Sequence, residues 1–155
     1  MFILGTILIL AFEGIRKGWR QIAKLLLIEY AFLIYCSTVI FRETSDTTNY
    51  KPTTIEIYKE IIKKGGLRID PEILLNVFVF VPMGFLVCLV FKSLKWWQTL
   101  MIGCVMSVSI ELLQYVLKRG TTEIGDIIHN TIGYMIGYLI YEFLQIIRIK
   151  INKSV

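Results

Sequence analysis

Four long apolar segments determine what this chain can fold into. Each holds about twenty residues, enough to cross a hydrocarbon core of roughly 30 Å at about 1.5 Å of helical rise per residue. The segments are residues 22–41, 73–91, 99–117 and 127–147. Because lipid cannot satisfy backbone polar groups, spanning segments of this length form helices. The sequence therefore predicts an all-α integral membrane helical bundle, in which residues 1–155 make a single membrane domain.

The N-terminal apolar segment, residues 1–12, is too short for a clear prediction. It fits a half-span, an interfacial helix or a tilted span, so the bundle has four to five transmembrane helices. A cleaved signal peptide is not favoured, because no basic region precedes the apolar run and no small-x-small site follows it.

Composition agrees with a membrane protein, because 55% of the 155 residues are hydrophobic. The formal net charge is +5. Anionic lipid head groups at the inner leaflet account for such a charge, so membrane lipids are the expected partners and no nucleic acid is expected.

The positions of the basic residues predict the orientation. Lysines and arginines cluster before segment 22–41, between segments 73–91 and 99–117, and after segment 127–147, whereas the loop 42–72 balances six basic against six acidic residues. The basic side is cytoplasmic by the positive-inside rule. This places the C-terminus in the cytoplasm and the loop 42–72 outside, where Thr53 and Glu56 form a capping box that predicts a short external amphipathic helix.

Polar residues interrupt the apolar segments at helical spacing. Ser107, Glu111 and Gln114 share one face of segment 99–117, and Asp126 and Asn130 share one face at the start of the last helix. Two helices joined by a tight turn are antiparallel neighbours, so we expect these two stripes to face each other. Glycines at positions 133 and 137 continue the second stripe and are expected to let the same two helices approach closely.

Counted at about 1.5 Å per residue from the outer ends, Glu111, Asn130 and Asn76 fall in the outer half of the bilayer. The sequence therefore predicts one ligand-binding cluster that opens outward. Its members are Arg42, Asn76, Glu111, Gln114, Arg119, Asp126 and Asn130.

Interhelical hydrogen bonding alone is the alternative role for these groups. It accounts for Asn76, Gln114 and Asn130 as well as ligand binding does. Glu111 favours function, because an ionised carboxylate at this depth costs on the order of 3 kcal/mol. No metal site and no cofactor are expected: His129 has no second His or Cys nearby in the sequence, and the three cysteines are scattered.

Three motifs in order carry a resemblance to a known family. They are Asn76-x-x-x-Phe-x-Pro-x-Gly, Ser107-x-x-x-Glu-x-x-Gln and Asp126-x-x-x-Asn-x-x-Gly-x-x-x-Gly. Over residues 70–142 the chain resembles the VanZ-like family, small bacterial polytopic membrane proteins named for a member that lowers susceptibility to the lipid-bearing glycopeptide teicoplanin. The first twelve residues fall outside this resemblance. It implies a multi-pass protein of the bacterial plasma membrane, in the cell envelope, with a link to glycopeptide antibiotic resistance.

The resemblance also bears on the two arginines. Arg42 fits a family habit of an arginine after the preceding helix, whereas Arg119 is separated from Glu123 by three residues where many members place the two closer. Guanidinium groups bind phosphate and carboxylate well, so both arginines are candidates to hold an anionic ligand group.

Three functions are compatible with these residues. The first is binding of an amphiphile or lipid head group, with a lipoglycopeptide or a lipid-linked cell-wall precursor as candidate ligands. The second is a membrane-embedded hydrolase or transferase in which Glu111 and Asp126 are the catalytic acid and base. The third is a small transporter, which would require a homo-oligomer. The sequence leaves open whether the protein is an enzyme.

Overall fold

The computed structural model describes residues 17–43, 71–120 and 123–154, which form four long helices. These are α1 (Lys17–Tyr35), α2 (Pro71–Val90), α3 (Trp96–Leu117) and α4 (Ile124–Ser154). All four are long and apolar enough to cross a membrane, with α1 counted together with the residues that follow it. The predicted all-α membrane bundle is confirmed. Segment 1–12 and the predicted helix after Thr53 lie outside the described residues.

The end of α1 departs from regular α-helix. Residues Cys36–Ile40 form a π-helical turn, called the π segment below, and the backbone N–H of Phe41 closes it on the carbonyl of Cys36 at 2.9 Å. Ser37 and Thr38 both donate their hydroxyls to the carbonyl of Ile34. Short π-helical turns are rare and occur frequently at functional sites. The apolar pattern of residues 22–41 did not predict it.

Proline sets two features of α2. The helix begins at Pro71, where a missing N–H costs no hydrogen bond, and it continues as helix past Pro82. Pro82 leaves the carbonyl of Phe78 without its usual donor. The Tyr30 hydroxyl of α1 donates to the adjacent carbonyl, that of Val79, at 2.8 Å. A side chain of α1 thus reaches the backbone of α2 beside the weakened turn.

Helices α2 and α4 form the most extensive contact of the bundle. A Cβ atom placed on Gly133 would overlap the carbonyl oxygen of Val77, and one placed on Gly84 would overlap the carbonyl oxygen of Tyr134. The expectation that the glycines of α4 bring it against α3 is therefore wrong, because they bring it against α2. A stripe of small residues marks a face of close approach but does not identify the neighbour, and α4 has two.

Burial separates the centre of the bundle from its lipid-facing surface. Every residue of α2 from Met83 to Val90 is buried. The other three helices each bury one side and expose large apolar residues on the other, for example Phe32, Leu112 and Leu139. Exposed apolar faces on long helices suit contact with lipid acyl chains. The chain is a multi-pass membrane protein in which α2 is the central helix.

Candidate functional site

The polar stripes of α3 and α4 face each other, as the sequence predicted. The Asn130 side-chain nitrogen Nδ2 donates to the Ser107 hydroxyl at 3.0 Å, and that hydroxyl lies 3.5 Å from the backbone carbonyl of Asp126, to which it donates. Ser107 is fully buried and Asn130 nearly so. These bonds fix the register between the helices, with Ser107 opposite Asn130 and Glu111 opposite the start of α4.

Glu111 caps the start of α4 from the neighbouring helix. Its Oε2 accepts a hydrogen bond of 2.9 Å from the backbone N–H of Glu123, the residue before α4 begins. The first N–H groups of a helix have no partner within the helix, and the helix dipole favours a negative charge there. Glu111 therefore has a structural role that spacing along the sequence could not reveal, in addition to any role in function.

Asp126 lies in the first turn of α4, among side chains from three other parts of the bundle. The amide of Asn76, from α2, hydrogen-bonds with its carboxylate, and the Arg42 guanidinium is close enough to stabilise its negative charge. The carboxylates of Glu111, Glu123 and Glu72 act on it in the opposite sense. On α4 itself, the His129 ring nitrogen Nδ1 lies 3.9 Å from Asp126 Oδ1.

Arg42, just beyond the π segment, is held over this group by the end of α3. Gly120 has a φ of +69° and donates its backbone N–H to the Glu43 carbonyl at 3.1 Å. A Cβ atom on Gly120 would lie 2.6 Å from Cδ of Arg42, so the glycine provides both the backbone conformation and the space. Arg42 is thereby placed within electrostatic reach of Glu111 and Asp126.

Arg119 and Gln114 bind the backbone around the π segment. Arg119 Nη1 donates to the carbonyls of Arg42 at 2.9 Å and Ile40 at 3.3 Å, and Gln114 Nε2 donates to the carbonyl of Thr38 at 2.8 Å. Both side chains thus tie α3 to the end of α1. The direct role of Arg119 in ligand binding stays a prediction, because the structure gives this guanidinium a main-chain role.

Two buried amide oxygens near this site have no hydrogen-bond partner within the described part of the chain. They are Oε1 of Gln114 and Oδ1 of Asn130, on side chains that are 3% and 4% exposed. Buried polar atoms are nearly always paired in folded proteins. Two unpaired acceptors therefore mark this region as one where a hydrogen-bond donor would be stabilised.

The seven predicted residues thus divide into three sets toward one end of the bundle. Arg42, Asn76, Glu111 and Asp126 are called the carboxylate cluster below. Asn130 lies one helical turn further inside, and Gln114 and Arg119 hold the π segment. The sequence-based site omitted Ser107, although its spacing placed it on the same stripe. It also omitted Glu123, which contributes a backbone N–H and so leaves no signal in the pattern of side chains.

Within the described ranges, no group of three or more His, Cys, Asp or Glu side chains is placed to hold a metal ion.

Comparison with known proteins identifies the family. A family model described as VanZ/LLP1 matches residues 1–145. The chain belongs to the VanZ/LLP1 family. The match extends on both sides of the motif-bearing residues 70–142 and includes the first twelve residues, which the motifs alone had left outside.

One curated protein that is similar to this chain is Protein VanZ of Enterococcus faecium. It is 33% identical over 70 residues, which cover 45% of this chain and 44% of that protein. The chain thus aligns with less than half the length of this relative. No solved structure matches the chain.

Proposed function

We propose that this VanZ/LLP1 family protein binds the head group of a membrane amphiphile at the outer end of its bundle and thereby lowers susceptibility to teicoplanin. The observation that supports binding most is the carboxylate cluster. It draws ionisable side chains from α3, α4 and the residue beyond the π segment, together with the Asn76 amide of α2. Lipoglycopeptides and lipid-linked cell-wall precursors are the candidate ligands, since both partition into the outer leaflet.

Interhelical hydrogen bonding accounts poorly for such a cluster. Ser107 and Asn130 already join α3 to α4 through neutral groups, and the glycines already bring α4 against α2. Ionisable residues inside a membrane are costly and rare, and they typically mark functional sites. Neutral groups are thus sufficient to hold the helices together, and the carboxyl groups of Glu111 and Asp126 keep acceptor capacity beyond their bonds to the Glu123 N–H and the Asn76 amide.

The proposal requires that the cluster faces outward. All of its members lie at the same end of the bundle, since they come from the starts of α2 and α4, the last third of α3 and the end of α1. The basic residues that mark the cytoplasmic side lie toward the other end, at Lys92, Lys95 and Arg148. This arrangement supports a cytoplasmic C-terminus.

Reporter fusions test this orientation. A reporter inserted after Glu56 should show an external location, and one fused after Lys153 should show a cytoplasmic location, because the basic loops stay inside. A paired alkaline phosphatase and fluorescent-protein series in a bacterial plasma membrane measures both. Equal reporter activity at the two positions would contradict the orientation and the outward site together.

Asp126→Asn tests the functional role of the cluster. The amide is nearly isosteric but lacks the charge, so we expect normal membrane levels of the protein and a return of the teicoplanin inhibitory concentration to that of cells carrying an empty vector. Glu142→Gln, in the inner part of the same helix, is the matched control and should keep full protection. A fully protective Asp126→Asn variant would rule out a charge-dependent site.

A second function follows from the proximity of Glu111 and Asp126. Two neighbouring carboxylates can serve as general acid and general base in hydrolysis or transfer at a lipid head group. Lipid extracts of cells that express the protein distinguish the two functions. Binding alone leaves the head-group composition unchanged, whereas catalysis produces a new lipid species that disappears in Asp126→Asn.

A further inference from the structure

We infer that the ligand presents a primary ammonium group to Glu111 and Asp126, so that the site recognises cationic or zwitterionic amphiphiles of the phosphoethanolamine type. This inference rests on the proposed function and specifies its ligand. It departs from the sequence-based expectation that an anionic group is held by two arginines.

The two buried amides near the cluster, Gln114 and Asn130, have unpaired acceptor oxygens and not unpaired donors among the described residues. Gln114 must turn its Nε2 toward the Thr38 carbonyl, because a carbonyl can only accept, and its Oε1 is left without a partner in the described part of the chain. Gln114 lies one turn from Glu111 on the same face of α3. The side chain with this unpaired oxygen thus comes from the residue one turn along α3 from a member of the carboxylate cluster.

Within the described ranges, Asn130 also has an unpaired acceptor oxygen, because a short hydrogen-bond network uses its donor group. Ser107 donates its single proton to the Asp126 carbonyl and must accept from Asn130 Nδ2, so Asn130 Oδ1 is the end that has no partner among the described residues. Asn130 follows Asp126 by one helical turn, about 6 Å deeper along α4. Acceptor groups thus continue inward from the carboxylates.

The charged groups around Glu111 and Asp126 also favour a cationic ligand group over an anionic one. The groups that act on Glu111 or Asp126 from the packed elements are the carboxylates of Glu72 and Glu123 and the guanidinium of Arg42. His129 adds a ring nitrogen near Asp126. Arg119 directs Nη1 at backbone carbonyls. An anionic group placed between Glu111 and Asp126 would meet two carboxylates, whereas an ammonium group offers three donors to these acceptors.

Arg42 gives the site a second, cationic contact. It lies beside the two carboxylates and is held there by the contact with Gly120. A zwitterionic head group satisfies both parts of the site when its ammonium group lies between the carboxylates and its phosphate lies against Arg42. In this arrangement the ammonium group lies inside the site and the phosphate group lies at Arg42.

Lipid titration of the purified full chain, followed by native mass spectrometry, tests this ligand class. The probes are phosphatidylethanolamine, its N-acetylated derivative and phosphatidylglycerol, all with identical acyl chains. N-acetylation keeps the phosphate and removes the ammonium group. We expect phosphatidylethanolamine to bind at least about tenfold more tightly than the N-acetylated lipid, as loss of a charge-assisted hydrogen bond implies. Asp126→Asn should bring that ratio close to one, and Glu142→Gln should leave it unchanged.

Each other result overturns the inference in a distinguishable way. Phosphatidylglycerol binding as tightly as phosphatidylethanolamine, with both weakened by Arg42→Gln, would show an anion site and leave the proposed amphiphile binding intact. An unchanged ratio in both Asp126→Asn and Glu111→Gln would show that the ammonium group is recognised elsewhere. Absence of saturable binding for all three lipids, together with full teicoplanin protection by Asp126→Asn, would remove the proposed function as well.

Discussion

Gly133→Leu should prevent the protein from accumulating in folded form. The backbone of Val77 lies where the first side-chain atom of any larger residue would go, so α4 cannot keep its contact with α2. Overpacking in a closed interface typically costs about 1 to 3 kcal/mol when side chains can adjust, and we expect more here because the obstacle is backbone. The measurement is the fraction of membrane-extracted protein that elutes as a single species and its thermal transition in detergent.

Ile132→Leu is the matched control for this change. Ile132 precedes Gly133 on the same helix, is 47% exposed and lies on the lipid-facing side. Its replacement alters side-chain shape without entering the interface, so yield and thermal transition should match the unmodified protein. Normal folding of Gly133→Leu would contradict the close approach of α2 and α4.

Replacements of Glu111 should separate its two roles. Glu111→Leu removes the carboxylate that accepts the partly buried Glu123 backbone N–H, and loss of such a charge-assisted hydrogen bond should destabilise the protein by about 1 to 3 kcal/mol. Glu111→Gln keeps an oxygen in the same place, so its stability should stay close to that of the unmodified protein. Its teicoplanin protection should be lost, because the charge is gone.

Thermal stability in detergent and the teicoplanin inhibitory concentration are measured on the same variants. Glu29→Gln, an exposed carboxylate of α1, serves as control for removal of a negative charge and should change neither quantity. If Glu111→Gln proves stable and fully protective, the carboxylate serves only as the cap of α4. The proposed ligand site then keeps one of its two carboxylates, that of Asp126.

The positions of the membrane helices were predictable because bilayer thickness imposes a length and an apolar character on each of them. Residues 73–91 and 99–117 match α2 and α3 within a few residues at each end. The facing of the α3 and α4 stripes was also predictable, since a short connection leaves two helices few alternatives to lying side by side. The position of a helix and its pairing with the next helix both depend on residues that are close together in the sequence.

Other features depend on which helices meet across long separations in the chain. Gly133 was correctly identified as a position of close approach, yet its neighbour is Val77 of α2, and nothing in residues 124–154 distinguishes α2 from α3. The roles of Glu111 as a cap and Arg119 as a donor to the π segment involve backbone atoms of distant residues. Almost any residue type can supply a backbone N–H or carbonyl group, so a sequence pattern does not reveal which residue is the partner.

The closeness of α2 and α4 has a consequence for biogenesis. The two helices are separated in the chain by α3, so their contact through Gly84, Gly133 and Gly137 cannot form until α4, synthesised last of the described helices, has entered the bilayer. Until then Glu111 has no helix start to cap, and Asn76 has no Asp126 to pair with. The candidate site is thus completed only after α4 has inserted, and a chain that stalls before α4 presents to lipid the polar groups that α4 would otherwise cover.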